Sequence, residues 1–169
     1  MTTTPTRRDH DPAEDCGVCR LHADPLARER WEIGRGGFWL LRHHPHPAPL
    51  AGWLILDARR HLGGPVDFSP AEAGDWGAAV QGASRLVRDL TGCDRVYALL
   101  FGEGARHLHL HLVPRQSGEA ETEAWAVADL YRAVAGGGKP AADPILVAAL
   151  VRRARSYWEG TGARPNLTP

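Results

Sequence analysis

Hydrophobic and polar residues alternate strictly between residues 106 and 115, where the sequence reads RHLHLHLVPR. Successive side chains of a β-strand point to opposite faces of the sheet, so this strand would carry leucines on one face and histidines on the other. The leucine face requires a hydrophobic core, whereas three neighbouring imidazoles are costly to bury without partners and indicate a functional face. Because Pro114 cannot donate a hydrogen bond to a neighbouring strand, we expect the strand to end near Val113.

Apolar runs bounded by turn residues predict four more short strands. They lie at residues 31–33, 38–41, 52–56 and 95–101. Prolines alternate through residues 43–49, so this stretch is predicted to be an extended loop. Its three histidines either line a pocket or are exposed to solvent.

One long amphipathic helix is predicted over residues 69–91. Ser69 is a favourable N-cap that Glu72 completes as a capping box, and Gly92 is a natural stop. Two shorter helices are predicted at 125–134 and 144–158. The candidate buried positions of the last helix are Ile145, Leu146, Ala149, Leu150, Tyr157 and Trp158. Short strands around one long helix predict an α+β domain with an antiparallel sheet.

Composition and charge exclude several classes of protein. The chain has 169 residues, enough for one domain with a substantial core, and its 20 basic and 20 acidic side chains balance. This balance argues against a nucleic acid polymer as partner, and no apolar run is long enough to span a membrane. The polar N-terminus lacks an apolar signal core and there are only three cysteines, so we expect a reducing, cytoplasmic location.

The chain is expected to divide into three segments. Residues 1–13 are polar and are predicted to be disordered. Residues 14–115 contain the predicted sheet and long helix and form the main domain. Residues 116–169 are predicted to be a helical extension packed on that domain.

A Cys-x-x-Cys pair, Cys16 and Cys19, follows the polar N-terminal segment. Two thiolates on a tight turn can bind one metal ion, but a tetrahedral zinc site needs two more ligands. Two alternatives remain open, a redox pair and two reduced surface cysteines. Cys93 has no partner at metal-ligand spacing and is interpreted as a bystander.

The alternating run resembles the signature of the histidine triad (HIT) nucleotide hydrolases and transferases. The matching residues are His107, His109 and His111 with the apolar residues between and after them, and Pro114-Arg115 is also common in that family. Weaker similarity covers residues 14–115. The resemblance implies a five-stranded antiparallel sheet with the long helix on one face, C-terminal helices, and a homodimer.

The resemblance also implies a structural zinc ion. Zinc-bearing members of the family bind the metal through a Cys-x-x-Cys pair, a histidine that closes the basic turn after a strand, and the first histidine of the triad. Carried over to this chain, the ligands are Cys16, Cys19, His61 and His107. Two thiolates and two imidazoles form a closed tetrahedral set with no position left for water, which is typical of a structural site.

For catalysis, the resemblance implies that His109 attacks the α-phosphorus of a nucleotide and forms a nucleotidyl-histidine intermediate. The other ring nitrogen of His109 would bind the backbone carbonyl of His107, and His111 would donate to a phosphate oxygen. Gly104 and Arg106 precede the triad and are candidates for binding the substrate. The glycine-rich turn around Gly104 either offers backbone N–H groups to a phosphate or is a plain hairpin turn.

The chain departs from the family pattern at two places. Members usually carry an aspartate that binds the ribose hydroxyls, where this chain has Arg42-His43-His44. Many members also carry Asn, Gln and a hydroxyl residue before the triad, and residues 100–106 contain none of these. A dinucleoside polyphosphate is the lead substrate and a nucleoside phosphoramidate is the next. The alternatives are a non-catalytic, zinc-stabilised nucleotide-binding module and a triad that itself binds a metal ion.

Overall fold

The computed structural model describes residues 15–102 and 104–160, with side chains up to residue 158. The predicted disordered segment at 1–13 and the C-terminal tail lie outside these residues. Five strands form one antiparallel sheet in the order β1-β2-β3-β5-β4. The strands are β1 Glu32–Arg35, β2 Trp39–His43, β3 Leu54–Ala58, β4 Arg95–Leu100 and β5 His109–Arg115.

Five α-helices surround the sheet. They are α1 Gly17–Ala23, α2 Pro25–Trp31, α3 Pro70–Thr91, α4 Val127–Ala135 and α5 Pro144–Gly160. The order and composition of these elements confirm the predicted α+β fold, with an antiparallel five-stranded sheet, one long helix packed on it and C-terminal helices.

Helix α3 begins and ends where the sequence predicts. The Ser69 hydroxyl accepts the Glu72 backbone N–H, and the Glu72 carboxylate accepts the Ser69 N–H. Gly92 ends the helix at a φ of 68°, which glycine adopts without steric cost. The buried apolar side chains of the helix are Ala79, Ala83, Leu86, Val87 and Leu90.

Alternation along the strands gives the sheet two different faces. One face packs on α3 and carries the leucines of β5, which confirms the core expected for that half of the strand. On the other face, cross-strand pairing joins Arg42 to Ile55 and Ile55 to His111. Side chains paired across strands lie on the same face. These three residues therefore form a row across the middle of the sheet, and α4 covers only part of it.

Several predicted boundaries were wrong. Strand β5 continues through Pro114 to Arg115, because beyond Leu112 it pairs with β4 alone and the proline faces no second neighbour. Cys16 and Cys19 lie at the start of a helix rather than on a tight turn. His43 was assigned to a loop but is the last residue of β2.

The buried face of α5 was predicted correctly only at Leu150 and Trp158, which pack partly buried against the core. The buried side chains are Val147, Val151 and Ala154, whereas Ile145 is 77% exposed and Tyr157 is 43% exposed. Val147, Val151 and Ala154 lie on the side of α5 that packs against the sheet and α2, and Trp158 packs over Gly34 of β1. None of the helices in the described part of the chain is long and apolar enough to cross a membrane.

Replacement of Gly34 by alanine tests the packing of α5 on β1. A Cβ atom at Gly34 would overlap the Trp158 indole. We expect Gly34→Ala to lower the free energy of unfolding by about 1–3 kcal/mol, the usual effect of overpacking a core. Denaturant unfolding measures the change.

Gly74→Ala is the matched control, because a Cβ atom there meets nothing within 4 Å. In the helix interior this change should be stabilising by up to about 1 kcal/mol. Equal unfolding midpoints for the two variants would contradict the close packing of Trp158.

Candidate active site and metal centre

Four predicted metal ligands meet beside the N-terminus of α1. Cys16 immediately precedes that helix and Cys19 lies in its first turn, while His61 follows β3 and His107 precedes β5. One ligand atom from each residue lies within 4.8 Å of every other. The structure therefore brings together residues that are up to 91 positions apart in the sequence.

The distances within this cluster fit a tetrahedral zinc ion. The Nδ1 atom of His107 lies 3.6 Å from Cys16 Sγ and 3.3 Å from Cys19 Sγ, and His61 Nδ1 lies 3.4 Å from Cys19 Sγ. Zinc–sulfur and zinc–nitrogen bonds at a tetrahedral angle separate sulfur from nitrogen by about 3.6 Å. All four positions are taken by protein ligands, so a zinc ion here has a structural role.

The second nitrogen of His107 orients this ligand. Its Nε2–H donates to the carbonyl oxygen of Ala58 at 2.7 Å, which leaves Nδ1 free for a metal. Burial lowers the pKa of His107 and so favours the neutral form that a metal requires. A zinc ion would thus connect α1, the turn after β3 and the start of β5.

A buried ionic cluster lies beside the metal ligands. Asp57 is fully buried and accepts hydrogen bonds from Arg42 Nε at 2.5 Å and from His22 Nε2 at 2.8 Å. Burial alone would raise the pKa of Asp57, but the charge of Arg42 and the hydrogen bond from His22 outweigh it and hold the pKa at about 2. Because His22 belongs to α1, this cluster is a second connection between α1 and the sheet.

His109 is half-buried at the start of β5 and has one ring nitrogen engaged. Its Nδ1–H donates to the backbone carbonyl of His107 at 2.5 Å. In a neutral imidazole the other nitrogen then has an unshared electron pair. Nε2 of His109 is therefore the basic and nucleophilic atom of this side chain.

His111 lies on the same face of β5, with its ring centre 5.2 Å from that of His109. Its Nδ1 accepts a hydrogen bond from the indole N–H of Trp53 at 3.0 Å. Burial, together with the charges of His109, His44 and Arg42, lowers the pKa of His111 to about 3. His111 is thus neutral, with its proton on Nε2.

His109 and His111 line an open cleft of about 500 Å³. Gly104 also lines this cleft, whereas Arg106 lines a neighbouring depression next to His61. Glu103 lies outside the described residues. The structure therefore brings three of the four predicted catalytic and substrate-binding residues together and leaves Arg106 apart.

Two further residues at this site, Trp53 and Tyr131, were missed by the sequence analysis, and a third, His44, had been left between two interpretations. His44 and Tyr131 line the cleft with their ring centres 5.5 Å apart, and Trp53 lies behind His111. A partial signal for His44 was present in the sequence, because a pocket was one of two interpretations of residues 43–49. Trp53 could have been placed by alternation along its strand, but its partner depends on the pairing of β3 with β5.

No protein-family model matches this sequence, and no curated protein sequence matches it. Solved structures do, and the fold is that of the histidine triad proteins. A Hit-like protein from Bartonella henselae, described as involved in cell-cycle regulation, superimposes with a TM-score of 0.60 and 14% identity over 87% of this chain and 98% of its own.

Two other solved structures extend the comparison. A zinc-bound histidine triad family protein from Mycobacterium smegmatis has a TM-score of 0.59 and 18% identity, over 87% of this chain and 97% of its own. A histidine triad protein from Bradyrhizobium japonicum has a TM-score of 0.55 and 21% identity, over 78% of this chain and 95% of its own. At these identities the agreement concerns the fold.

Removal of one zinc ligand tests the metal centre. We expect the purified wild-type protein to contain about one zinc ion per chain and Cys16→Ser to contain almost none, because a three-ligand site loses the closed set of donors. Metal analysis after dialysis measures the zinc content. Cys93→Ser is the matched control, since Cys93 is equally buried but packs in the core beside α3. Full zinc occupancy in Cys16→Ser would contradict the assignment.

The buried histidine of β2 predicts sensitivity to acid. His43 accepts the Gly52 N–H at Nε2 and donates from Nδ1 to the His44 carbonyl, and burial lowers its pKa to about 4. Its neutral form stabilises the protein above the unfolded-state pKa of about 6.5, and this stability is lost as the pH falls from 6.5 towards 4.

Between pH 6.5 and pH 4 the free energy of unfolding should fall by up to about 3 kcal/mol more in wild type than in His43→Gln. The slope of this difference is about 1.4 kcal/mol per pH unit. Denaturant unfolding across the pH range measures the difference. Release of zinc affects both proteins alike and therefore cancels. Parallel stability curves for the two proteins would exclude a buried neutral His43.

Proposed function

We propose that this protein is a nucleotide hydrolase or transferase that cleaves its substrate at the α-phosphorus through a nucleotidyl-histidine intermediate on His109. The observation that carries the proposal is the state of His109. Its Nδ1–H is bound to the His107 carbonyl, while the ring lines a cleft large enough for a phosphate and part of a nucleoside. A neutral imidazole with a free Nε2 is a competent nucleophile near neutral pH.

In the first step, the Nε2 lone pair of His109 attacks the α-phosphorus. A nitrogen–phosphorus bond forms as the bond to the leaving group breaks. The His107 carbonyl stabilises the positive charge that develops on the imidazole, because it already accepts the Nδ1–H. In the second step, water attacks the same phosphorus and the nitrogen–phosphorus bond breaks. A nucleoside monophosphate leaves, its surplus proton passes to solvent, and the imidazole of His109 is restored.

His111 supports both steps as a hydrogen-bond donor. With Nδ1 occupied by Trp53, its Nε2–H is available to a non-bridging phosphate oxygen. The lining of the cleft also includes Arg42 and Arg132, and in the described part of that lining there is no carboxylate. Arg42 is paired with Asp57 and Arg132 with Asp129, but a lining with cationic and neutral donors still suits an anionic ligand. Gly104 is exposed at the edge of the cleft, where its backbone would be available to a phosphate group of the substrate.

The lead substrate is a dinucleoside polyphosphate, and a nucleoside phosphoramidate is the next candidate. Both place an α-phosphorus next to a good leaving group. Zinc has a structural part in this proposal, since all four of its positions would be taken by Cys16, Cys19, His61 and His107. Arg106 would act only on a leaving group that extends out of the cleft, because it lies in the neighbouring depression.

A non-catalytic, zinc-stabilised nucleotide-binding module is the second candidate. The specific observation in its favour is that Arg42 and His44 occupy the end of β2 where a ribose-binding aspartate would be expected. Such a module would bind nucleotide in the same cleft without forming the covalent intermediate.

We further propose that the protein is a homodimer that acts in the cytoplasm, with residues 116–160 as an extension of the same domain. Strand β4 is an edge of the sheet, and Leu100 at its end is 48% exposed. An open edge with exposed apolar side chains is suited to pairing with a second chain. Light scattering in solution determines the oligomeric state.

Replacement of His109 by alanine tests the nucleophile. We expect His109→Ala to lower nucleoside monophosphate release from diadenosine polyphosphates and adenosine phosphoramidates by about 1,000-fold or more, because the covalent route is lost. In wild type, substrate labelled at the α-phosphate should leave label on His109 after a rapid acid quench.

His46→Ala is the control, because this histidine is exposed and does not line the cleft. It should retain wild-type activity and zinc content. Nucleotide binding by wild type without a burst and without labelled His109 would favour the binding module instead.

A further inference from the structure

The hydrogen bond between Trp53 and His111 connects a fully buried indole to a nearly buried imidazole at the wall of the cleft. Trp53 is 0% exposed and His111 is 3% exposed, and the indole Nε1 lies 3.0 Å from His111 Nδ1. We infer that Trp53 is a positioning residue that locks His111 in its Nε2–H tautomer and prevents it from becoming an imidazolium. This inference rests on the proposed function for its catalytic meaning, but the tautomer itself is a property of the protein without substrate.

The chemistry of the two groups determines where the proton of His111 lies. An indole N–H can only donate, so the atom that faces it must have a free lone pair. The single proton of neutral His111 must therefore be on Nε2. His111 is one of the side chains that line the cleft. A second proton on Nδ1 would place two N–H groups head to head at 3.0 Å. Relief of that clash would leave a buried indole N–H unpaired, at a cost comparable to a lost hydrogen bond.

Among the described residues around His111, positive charge outweighs negative charge. His109 and His44 are the nearest imidazoles, and Arg42 is cationic. In the described part of the chain, Asp57 is the carboxylate that acts on His111, and it is already paired with Arg42 and His22. The ionisable groups facing His111 from the surrounding elements are His109, His44, Arg42, Asp57 and Tyr131.

The consequence for the reaction concerns the proton of the leaving group. A nitrogen–phosphorus bond forms and the bond to the leaving group breaks, and the departing atom must gain a proton if it is basic. His111 cannot act as the general acid that supplies this proton, because a histidine general acid must be an imidazolium and that form is excluded here. It remains a fixed donor to a non-bridging oxygen in both steps, and the proton comes from water.

Nuclear magnetic resonance of protein labelled with ¹⁵N-histidine tests the inference without any substrate. In zinc-loaded wild type, we expect His111 to carry its proton on Nε2 and to show no titration between about pH 5 and pH 8. In Trp53→Phe, the donor is lost, so His111 should sample both tautomers and begin to titrate closer to about pH 6.5.

Val127→Ala is the matched packing control, because Val127 belongs to the same buried cluster as Trp53 but leaves the hydrogen bond intact. It should keep the wild-type tautomer of His111. On the substrates that wild type cleaves, Trp53→Phe should lower kcat by about 10- to 100-fold and change KM less, because the donor acts mainly on developing charge.

Two results would overturn the inference. One is a wild-type His111 that has its proton on Nδ1 or titrates near its ordinary pKa. The other is a folded Trp53→Phe with an unchanged His111 spectrum. If Trp53→Phe does not fold, the wild-type spectrum alone decides. Because the spectrum needs no turnover, failure of the inference and failure of the proposed function give different results.

Discussion

The site depends on the threefold attachment of His107. Its Nδ1 faces the two cysteine sulfurs, its Nε2 donates to the carbonyl of Ala58, and its own carbonyl accepts the N–H of His109. One residue therefore connects the metal ligands, strand β3 and the candidate nucleophile. A movement of His107 would displace all three, which explains why a closed metal site lies next to a site proposed for chemistry. The metal centre provides rigidity at the position where geometry matters most.

The side of the sheet that faces the cleft carries polar side chains, but its charges are paired or its groups are neutral. Arg42 and Asp57 neutralise each other within hydrogen-bond distance, and His111 is neutral at Nδ1 because an indole N–H occupies that position. Burial of charge is costly without such pairing. The arrangement leaves the sheet able to present a nucleophile and hydrogen-bond donors to an anion.

Sequence reasoning was most successful where the controlling partners are close along the chain. The capping box at Ser69, the stop at Gly92 and the alternation of the triad strand involve residues within four positions of each other, and each was confirmed. The inward face of α5 and the continuation of β5 past Pro114 depend on which distant element lies alongside. The first was predicted correctly at only some positions and the second was wrong. At the site, the metal ligands followed from the family resemblance, whereas Trp53 became a partner of His111 only through strand pairing. Local signals give the elements, and tertiary contacts decide which side chains meet.

The packing of α5 on β1 has a consequence for how sheets of this kind associate. Arg155 of α5 donates to the backbone oxygen of Glu32 at 2.7 Å, and Trp158 lies over Gly34. Helix α5 therefore covers the β1 edge of the sheet, and β4 is the opposite edge strand. If two molecules paired along β4, both β4 edges would be occupied. The remaining β1 edges are covered by α5 and are poorly suited to pair with a third molecule. Helix α5 thus acts against further growth of the sheet beyond a pair of molecules.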